Sequence, residues 1–397
     1  MSNFKLADFI RPKIFNLEPY RCARDDFKEG ILLDANENTH GPSLSLDCPF
    51  TDLNRYPDPH QKELKTLIAN YRNSQKPADK PELSYENLCL GVGSDESIDA
   101  IMRASCVPGK NKVLVCPPTY GMYGITADIN DLECVKVPLL PKREKDDKKF
   151  QLNVPEILST LQNDKDIRLV MITSPGNPTA AQIDTEDIKT ILNEWQNGFV
   201  VVDEAYIDFG NGSVCTYVNE FPNLVVFQTL SKAFGLAGVR MGVSYTSKEL
   251  STILNAMKAP YSVSTMASEL AINAFSQKSL EIFEQNKKSI IDGRQFLIDE
   301  LTKLPYVDNE LIGGLDANFI LIRTKPEELA QKAYYKMATE SKVVVRYRGN
   351  ELNCKGGLRI SIGTQQENEQ MVKEFKEKYG SLVIIPIIVK YIFLNIS

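Results

Sequence analysis

Short apolar, β-branched runs recur between residues 88 and 246, each followed by turn residues or by a helical pattern. They cover 88–90, 112–116, 134–137, 168–173, 199–203, 224–229 and 241–245. A strand with one wet face alternates polar and apolar residues, whereas these runs are apolar on both faces. That predicts strands buried on both sides, as in a parallel sheet covered by helices. Helix-length stretches separate several of them, such as 184–195, where Ile188, Ile191, Leu192 and Trp195 fall at helical spacing. The pattern predicts an α/β doubly wound layout, and such sheets bind ligands beyond the carboxyl ends of their strands.

After about residue 280 the character changes. A charged helical stretch at 280–304 precedes a strand at 317–322, a helix at 326–341 and strands at 342–346 and 358–362. This predicts a smaller α+β unit. Residues 1–45 show no clear alternation and are expected to form an arm packing on that smaller unit. The expected division is therefore arm 1–45, large domain 46–285, small domain 286–379 and an atypical apolar tail 380–397. From 382 to 396 the tail is strongly apolar, interrupted by Pro386 and Lys390. At about fifteen residues it is shorter than the roughly 20 of a membrane-spanning helix, so a terminal strand or docked segment is expected. No internal repeat of fixed period is present.

Composition narrows the classes. With 397 residues, 43% hydrophobic, 25% charged and no periodic Gly or Pro, collagen-like, low-complexity and largely disordered chains are excluded. The balance of 46 basic against 52 acidic residues, net −6, lacks the basic footprint of a nucleic-acid binder. The eight cysteines are scattered, several in apolar runs, and read as buried reduced thiols. Only His40 and His60 exist, both in Pro-rich loop sequence, which excludes a His-rich metal centre and gives a Ser-His-Asp triad little support. The N-terminus carries acids early and no apolar stretch of signal length, so a cytoplasmic protein without a membrane partner is expected.

Candidate chemistry concentrates at the strand ends. Gly93-Ser94-Asp95 follows the first run, and Ser94 can cap a helix whose free N–H groups face an anion. Asp203 ends a wholly apolar run, where a carboxylate needs a cationic or donor partner, and Tyr206 lies three residues on. Asp203-Glu204 also resembles a magnesium-binding Walker B pair, but no Gly-x4-Gly-Lys-Ser/Thr loop exists to accompany it. Thr229, Ser231 and Lys232 close another run, with Lys232 among apolar residues and Arg240 eight further on. A partly desolvated lysine has a lowered pKa and becomes a Schiff-base nucleophile, and an arginine fork holds phosphate bidentately. Asn177, flanked by Pro175 and Pro178 across a tight turn, projects an amide, and Tyr120 offers a ring to stack on a planar ligand. Singly, each is a capped helix, a surface charge or a loop. Together they supply what pyridoxal 5′-phosphate requires: an amine for its aldehyde, an acid for its ring nitrogen, and donors for its ring oxygen and phosphate.

These motifs resemble those of the fold-type I aminotransferases, and the resemblance runs from about residue 11 to 377. Tyr20, Asn36, Arg55-Tyr56 and the pair Arg346/Arg359 make the chain similar to the histidinol-phosphate branch of that family, in its fungal form. The resemblance implies that Lys232 binds the cofactor and then shuttles a proton, and that Asp203 pairs with the ring nitrogen. It implies that Asn177 and Tyr206 hold the ring oxygen and that Tyr120 stacks on the ring. Ser94, the Asp95 N–H, Thr229, Ser231 and Arg240 are implied at the phosphate, joined by Tyr56 from a neighbouring subunit of a homodimer. For substrates it implies Arg359 at the glutamate α-carboxylate, with Arg346, Tyr20 and Asn36 around the phosphate or amino-acid end, and Arg348 as a competitor for the Arg346 role. The implied reaction exchanges an amino group between L-histidinol phosphate and 2-oxoglutarate, giving imidazole acetol phosphate and L-glutamate. Sister enzymes on the same scaffold, such as an aromatic aminotransferase or a phosphothreonine decarboxylase, would keep every cofactor residue. Ala180 departs from the glycine usual after Asn-Pro-Thr, a position strained if the backbone takes a positive φ.

Overall fold

The computed structural model describes residues 4–18, 21, 35 and 53–394, the side chains of 384–394 excepted. Among the described residues, nine strands occupy the first two thirds: β1 Leu88–Val92, β2 Lys112–Val115, β3 Glu133–Lys136, β4 Leu140–Lys142, β5 Lys149–Gln151, β6 Ile167–Thr173, β7 Phe199–Asp203, β8 Leu224–Thr229 and β9 Met241–Tyr245. Seven form one sheet in the order β1-β9-β8-β7-β6-β2-β3, and β4 pairs with β5 as a separate hairpin. All neighbours between β3 and β8 are parallel, whereas β9 is antiparallel to both β8 and β1. The amino end of β9 therefore meets the carboxyl ends of the other six strands along one edge.

The two-sided apolar runs are accounted for by two cores, one on each face. Within β7, Val200 and Val202 join one cluster with Ile188 and Ile191, while Phe199 and Val201 join the other with Ile98 and Ile101. The helix Thr185–Glu194 buries Ile188, Ile191 and Leu192, and the Asp184 side chain caps it by accepting from the Glu186 N–H.

The C-terminal part forms a three-stranded antiparallel sheet, β10 Phe319–Arg323, β12 Gly357–Ser361 and β11 Arg346–Tyr347, in the order β10-β12-β11. Leu297 and Leu301 of the helix Gln277–Leu301 pack with Ile320, Ile322, Leu358, Ile360, Phe375 and Tyr379 over this sheet. The expected boundary at 285/286 falls inside that helix.

Two expectations are corrected. The described part of the N-terminal arm packs on the large sheet, not on the smaller unit. Ile10 is buried in the core that contains Phe199, Phe4 meets the Phe199 ring edge-on at 5.5 Å, and the Arg11 N–H donates to the Ala104 carbonyl at 2.9 Å. The apolar side chains of the arm lose more surface against that helix-covered face than a solvated arm would. The apolar tail is not a strand, because the final helix, Gln365–Leu394, runs into it as far as residue 394. No helix among the described residues is long and apolar enough to cross a membrane.

Candidate active site

Because six carboxyl ends and one amino end share an edge, residues far apart in the chain converge there. A cavity of about 470 Å³ opens at this edge, with the small sheet contributing its other wall. Ser94 and Asp95 reach it from the turn after β1, Tyr120 from the loop after β2, and Asn177 from the loop after β6. Asp203 and Tyr206 follow from β7, Thr229, Ser231 and Lys232 from β8, and Arg240 stands just ahead of β9. Arg346 and Arg359 enter from the small sheet. The remaining three expected residues are not in this group. Tyr20 and Asn36 lie outside the described residues. Tyr56 is 53% exposed and stacks on Tyr261 with ring centroids 4.5 Å apart, away from the cavity of its own chain.

Asp203 is the buried acid. Its Oδ2 accepts from the Tyr123 hydroxyl at 2.8 Å and its Oδ1 from the Ala205 N–H at 3.2 Å. Burial pushes its carboxyl up to about 6, and those two donors and the Lys232 charge act against the rise. Lys232 is half-buried, and burial together with the Arg359 and Arg240 charges holds its amine below the ordinary lysine value. Its Nζ lies 5.6 Å from the centre of the Tyr206 ring, which in turn packs edge-on against Phe319. The amine therefore lies inside the cavity, within electrostatic reach of Asp203.

The turn after β1 is shaped by close backbone approach. Gly93 has φ +73, and a methyl there would collide with the Arg240 guanidinium; a methyl on Gly242 would collide with the Gly93 backbone. The helix Gly93–Ser105 starts immediately, with Val92 at the cap and Glu96 accepting from the Val92 N–H. Ser94 therefore sits in the first helical turn and is not the capping side chain. The Asp95 carboxylate accepts from the Tyr120 hydroxyl at 3.1 Å and stands 3.8 Å from Arg240 Nη2. Thr229 Oγ1 lies 2.9 Å from Ser231 Oγ and accepts from the Ser231 N–H at 3.2 Å, so two hydroxyls are clustered beside the helix terminus.

Across the cavity, Arg359 Nη1 donates to Asn177 Oδ1 at 2.6 Å and ties the small sheet to the loop after β6. Arg359 Nε and Arg348 Nε are shut off from solvent and have no hydrogen-bond partner. Arg348 lines the cavity as well, as do Thr173, Ala205 and Ala237. Tyr123, beneath Asp203, is the consequential residue missed in the sequence. It lies in an apolar helix, Met122–Ile129, and its only sequence signal is a position three residues after Tyr120. Glu204 faces away from the cavity. Its carboxylate accepts from Ser213 Oγ, from the Val214 N–H at 2.7 Å and from Gln228 Nε2 at 2.7 Å, while burial pushes it up to about 7.

The chain belongs to the class I and II aminotransferases: the model of that family, described as "Aminotransferase class I and II", matches residues 28–375. Within it, the chain is 56% identical over 380 residues to the histidinol-phosphate aminotransferase of Saccharomyces cerevisiae, covering 94% of this chain and 97% of that one. It is 51% identical over 389 residues to the histidinol-phosphate aminotransferase of Candida maltosa, covering 94% and 98%. Among solved structures, it is similar to the histidinol-phosphate aminotransferase of Clostridium acetobutylicum, with TM-score 0.69, 23% identity and 82% and 91% coverage. It is also similar to that of Sinorhizobium meliloti in complex with pyridoxal-5′-phosphate, with TM-score 0.71, 20% identity and 84% coverage of each chain. At those identities the solved structures speak to the fold, which is a large, mostly parallel sheet with a smaller α+β part.

Proposed function

We propose that this chain transfers an amino group between L-histidinol phosphate and 2-oxoglutarate, giving imidazole acetol phosphate and L-glutamate, with pyridoxal 5′-phosphate as cofactor. The observation that carries the reading is a single cavity containing a desolvated lysine amine and a buried carboxylate and lined by Arg240, Arg346 and Arg359. The donor set fits the cofactor. Asp203 sits where a protonated ring nitrogen would supply its missing cation, and the glycine-shaped helix terminus beside Arg240 forms a cradle that a side chain at 93 would fill. Ser94, the Asp95 N–H, Thr229, Ser231 and Arg240 would hold the phosphate, Asn177 and Tyr206 the ring oxygen, and Tyr120 the ring face.

When bound, the cofactor supplies an electron sink conjugated to the amine-bearing carbon of the substrate. The residues do the rest. Lys232 Nζ, held below its ordinary value by burial and by the Arg359 and Arg240 charges, would act as the nucleophile and, once displaced by the incoming amine, would carry the proton from that carbon to the carbon that bore the cofactor's aldehyde. Asp203, in its ionised form, keeps the ring nitrogen protonated. Arg359 orients an anionic substrate group, because a guanidinium fork matches carboxylate and phosphate alike, and one site can then serve both amino donors in turn.

The same reading makes the protein a cytoplasmic homodimer. Tyr56, exposed and not among the residues lining its own cavity, would then reach the phosphate site of a neighbouring copy. It also keeps the division into a large unit to about 285 and a smaller one from 286 to 379. The test is Lys232→Ala, which abolishes both turnover and the visible absorbance of lysine-bound cofactor; persistence of either rejects the assignment. Adding histidinol phosphate alone to the wild-type holoenzyme converts the cofactor to its amine form, and failure to do so rejects the substrate.

A further inference from the structure

The ends of β6 and β7 lie side by side under the cavity, where Thr173 is the register partner of Asp203. Both continue an alternation that puts Leu169, Met171, Phe199 and Val201 into the core containing Tyr123. A hydroxyl and an acid thus replace apolar side chains at the edge of that core, and the wholly buried Tyr123 meets them there. Its hydroxyl donates to Asp203 Oδ2 at 2.8 Å and lies 2.9 Å from Thr173 Oγ1. Thr173 Oγ1 is in turn 2.9 Å from Oγ1 of Thr119, which is partly exposed in the loop after β2. Three hydroxyls therefore stand in a row that ends on the carboxylate.

The row has one consistent direction. An ionised carboxylate only accepts. Tyr123 then gives its proton to Asp203, its oxygen takes the Thr173 proton, and the Thr173 oxygen takes that of Thr119. Each hydroxyl donates once, and each bond polarises the next toward the charge. The protonated acid fits worse. A proton on Oδ1 meets a donor, the Ala205 N–H at 3.2 Å. A proton on Oδ2 turns every hydroxyl round, and among the described residues the Thr119 hydroxyl has no partner besides Thr173 to receive its proton. The other groups around Asp203 pull both ways. The Lys232 charge favours the carboxylate and the Asp95 charge opposes it, while Arg240 and Arg359 line the same cavity. Burial keeps the Tyr120, Tyr123 and Tyr206 phenols above their ordinary values, so they stay neutral.

We infer that Thr119, Thr173 and Tyr123 are positioning residues, a one-directional row of donors that holds Asp203 as the carboxylate to which a cationic ring nitrogen would bind. The inference rests on the proposed function where the ring nitrogen enters, and on the geometry alone for the row. Three hydroxyls that merely fastened β6 to the loop after β2 would need no common direction and would not act on Asp203 through one another.

The test reads the ionisation of Asp203 in the whole, cofactor-free chain, by NMR of isotope-labelled aspartate carboxyls, its resonance identified by its loss in Asp203→Asn. Tyr123→Phe is expected to move the midpoint up by about one pH unit, because a donor to the charged form is lost. Thr173→Val keeps that donor and removes the group polarising it, so the midpoint rises by roughly a few tenths of a unit. Thr173→Ser retains the hydroxyl and returns the wild-type midpoint. In Tyr123→Phe/Thr173→Val the second substitution adds nothing, since Thr173 acts only through Tyr123. Thr119→Val, at the exposed end of the row, supplies the smaller shift if Thr173→Val does not fold. A wild-type midpoint in Thr173→Val, or additive shifts in the double variant, overturns the inference. Equilibrium dialysis of pyridoxal 5′-phosphate against the same proteins follows the second half. The acid limb of binding is expected to move up with the Asp203 midpoint. Midpoints that move while the acid limb stays put reject the placement of the ring nitrogen at Asp203 and leave the row standing.

Discussion

Tyr123→Phe removes one oxygen from beneath Asp203 and little else. Tyr123 is fully buried, so phenylalanine fills the same volume apart from the hydroxyl. That hydroxyl donates to Asp203 Oδ2 at 2.8 Å and lies 2.9 Å from Thr173 Oγ1, which is itself 2.9 Å from Thr119 Oγ1. A hydrogen bond to a charged acceptor contributes about 1.5–3 kcal/mol, and one to a neutral acceptor about 1 kcal/mol. The difference gives the effect a pH dependence whose sign can be worked out. Asp203 in the folded, cofactor-free protein titrates near 6, above the ordinary aspartate value. The stability this group contributes is therefore fully present at low pH, with the carboxyl protonated, and is lost as pH rises through about 6. At pH 5 both proteins hold a neutral acid and the variant is less stable by about 1 kcal/mol. At pH 8 the wild type holds a carboxylate stabilised by the hydroxyl, and the variant is less stable by about 2 kcal/mol or more. Urea unfolding of cofactor-free wild type and variant at the two pH values measures the difference directly. Equal destabilisation at pH 5 and pH 8 would show that the hydroxyl does not tune Asp203, and the account of that carboxylate given above would be wrong.

Two further substitutions probe the scaffold under the cavity. Arg72→Met breaks a buried ion pair with Asp208, N to O 2.7 Å with both side chains almost inaccessible, and frees Gln228. It is expected to cost about 3–5 kcal/mol in chemical denaturation, because Asp208 is left as an uncompensated buried charge, and a loss under about 1 kcal/mol would contradict that. Gly93→Ala puts a side chain at φ +73 against the Arg240 guanidinium. About 1–2 kcal/mol of stability is expected to go, along with roughly tenfold of cofactor retention on dialysis as Arg240 is displaced; wild-type retention would argue against a phosphate site there.

Much of the architecture was legible because burial imposes composition directly. Strands β7, β8 and β9 begin and end where the apolar runs do, since Val, Phe, Leu and similar residues predominate in a strand with helices on both faces. Strand-end chemistry was legible for a related reason: Asp203 and Lys232 stand out against apolar neighbours. What sequence could not supply was long-range pairing. Arg72 lies in an amphipathic helix, Lys62–Asn73, where arginine ordinarily faces water, and only the fold brings Asp208 and Gln228 to it. The arm was misplaced because its apolar side chains match either core equally well on composition. Ala180 was legible as a departure, and its φ of +50 is the backbone that a glycine there would adopt without strain.

The tandem Asp203-Glu204 carries the argument about roles furthest. Both carboxylates are buried and both are pushed upward by burial. Their surroundings separate them. Successive side chains at a strand end point to opposite sides, so only Asp203 faces the cavity. Glu204 is saturated by a hydroxyl, a backbone N–H and the Gln228 amide, whose own oxygen accepts from Arg72 Nε at 2.7 Å. Such a group has its hydrogen bonds committed to neighbouring segments and works as a fastener between β7, β8 and the helix that carries Arg72. Among the described residues Asp203 has two donors and no cationic partner in contact, although it lies at the end of a strand in a cavity lined by cations. An acid kept buried and under-compensated costs stability, and on the proposed function that cost would be recovered when a cationic ring nitrogen arrives. On the proposed function, cofactor affinity and the ionisation of Asp203 are two expressions of one deficit, left by burial, eased by the Tyr123 hydroxyl and met by no contacting cation among the described residues.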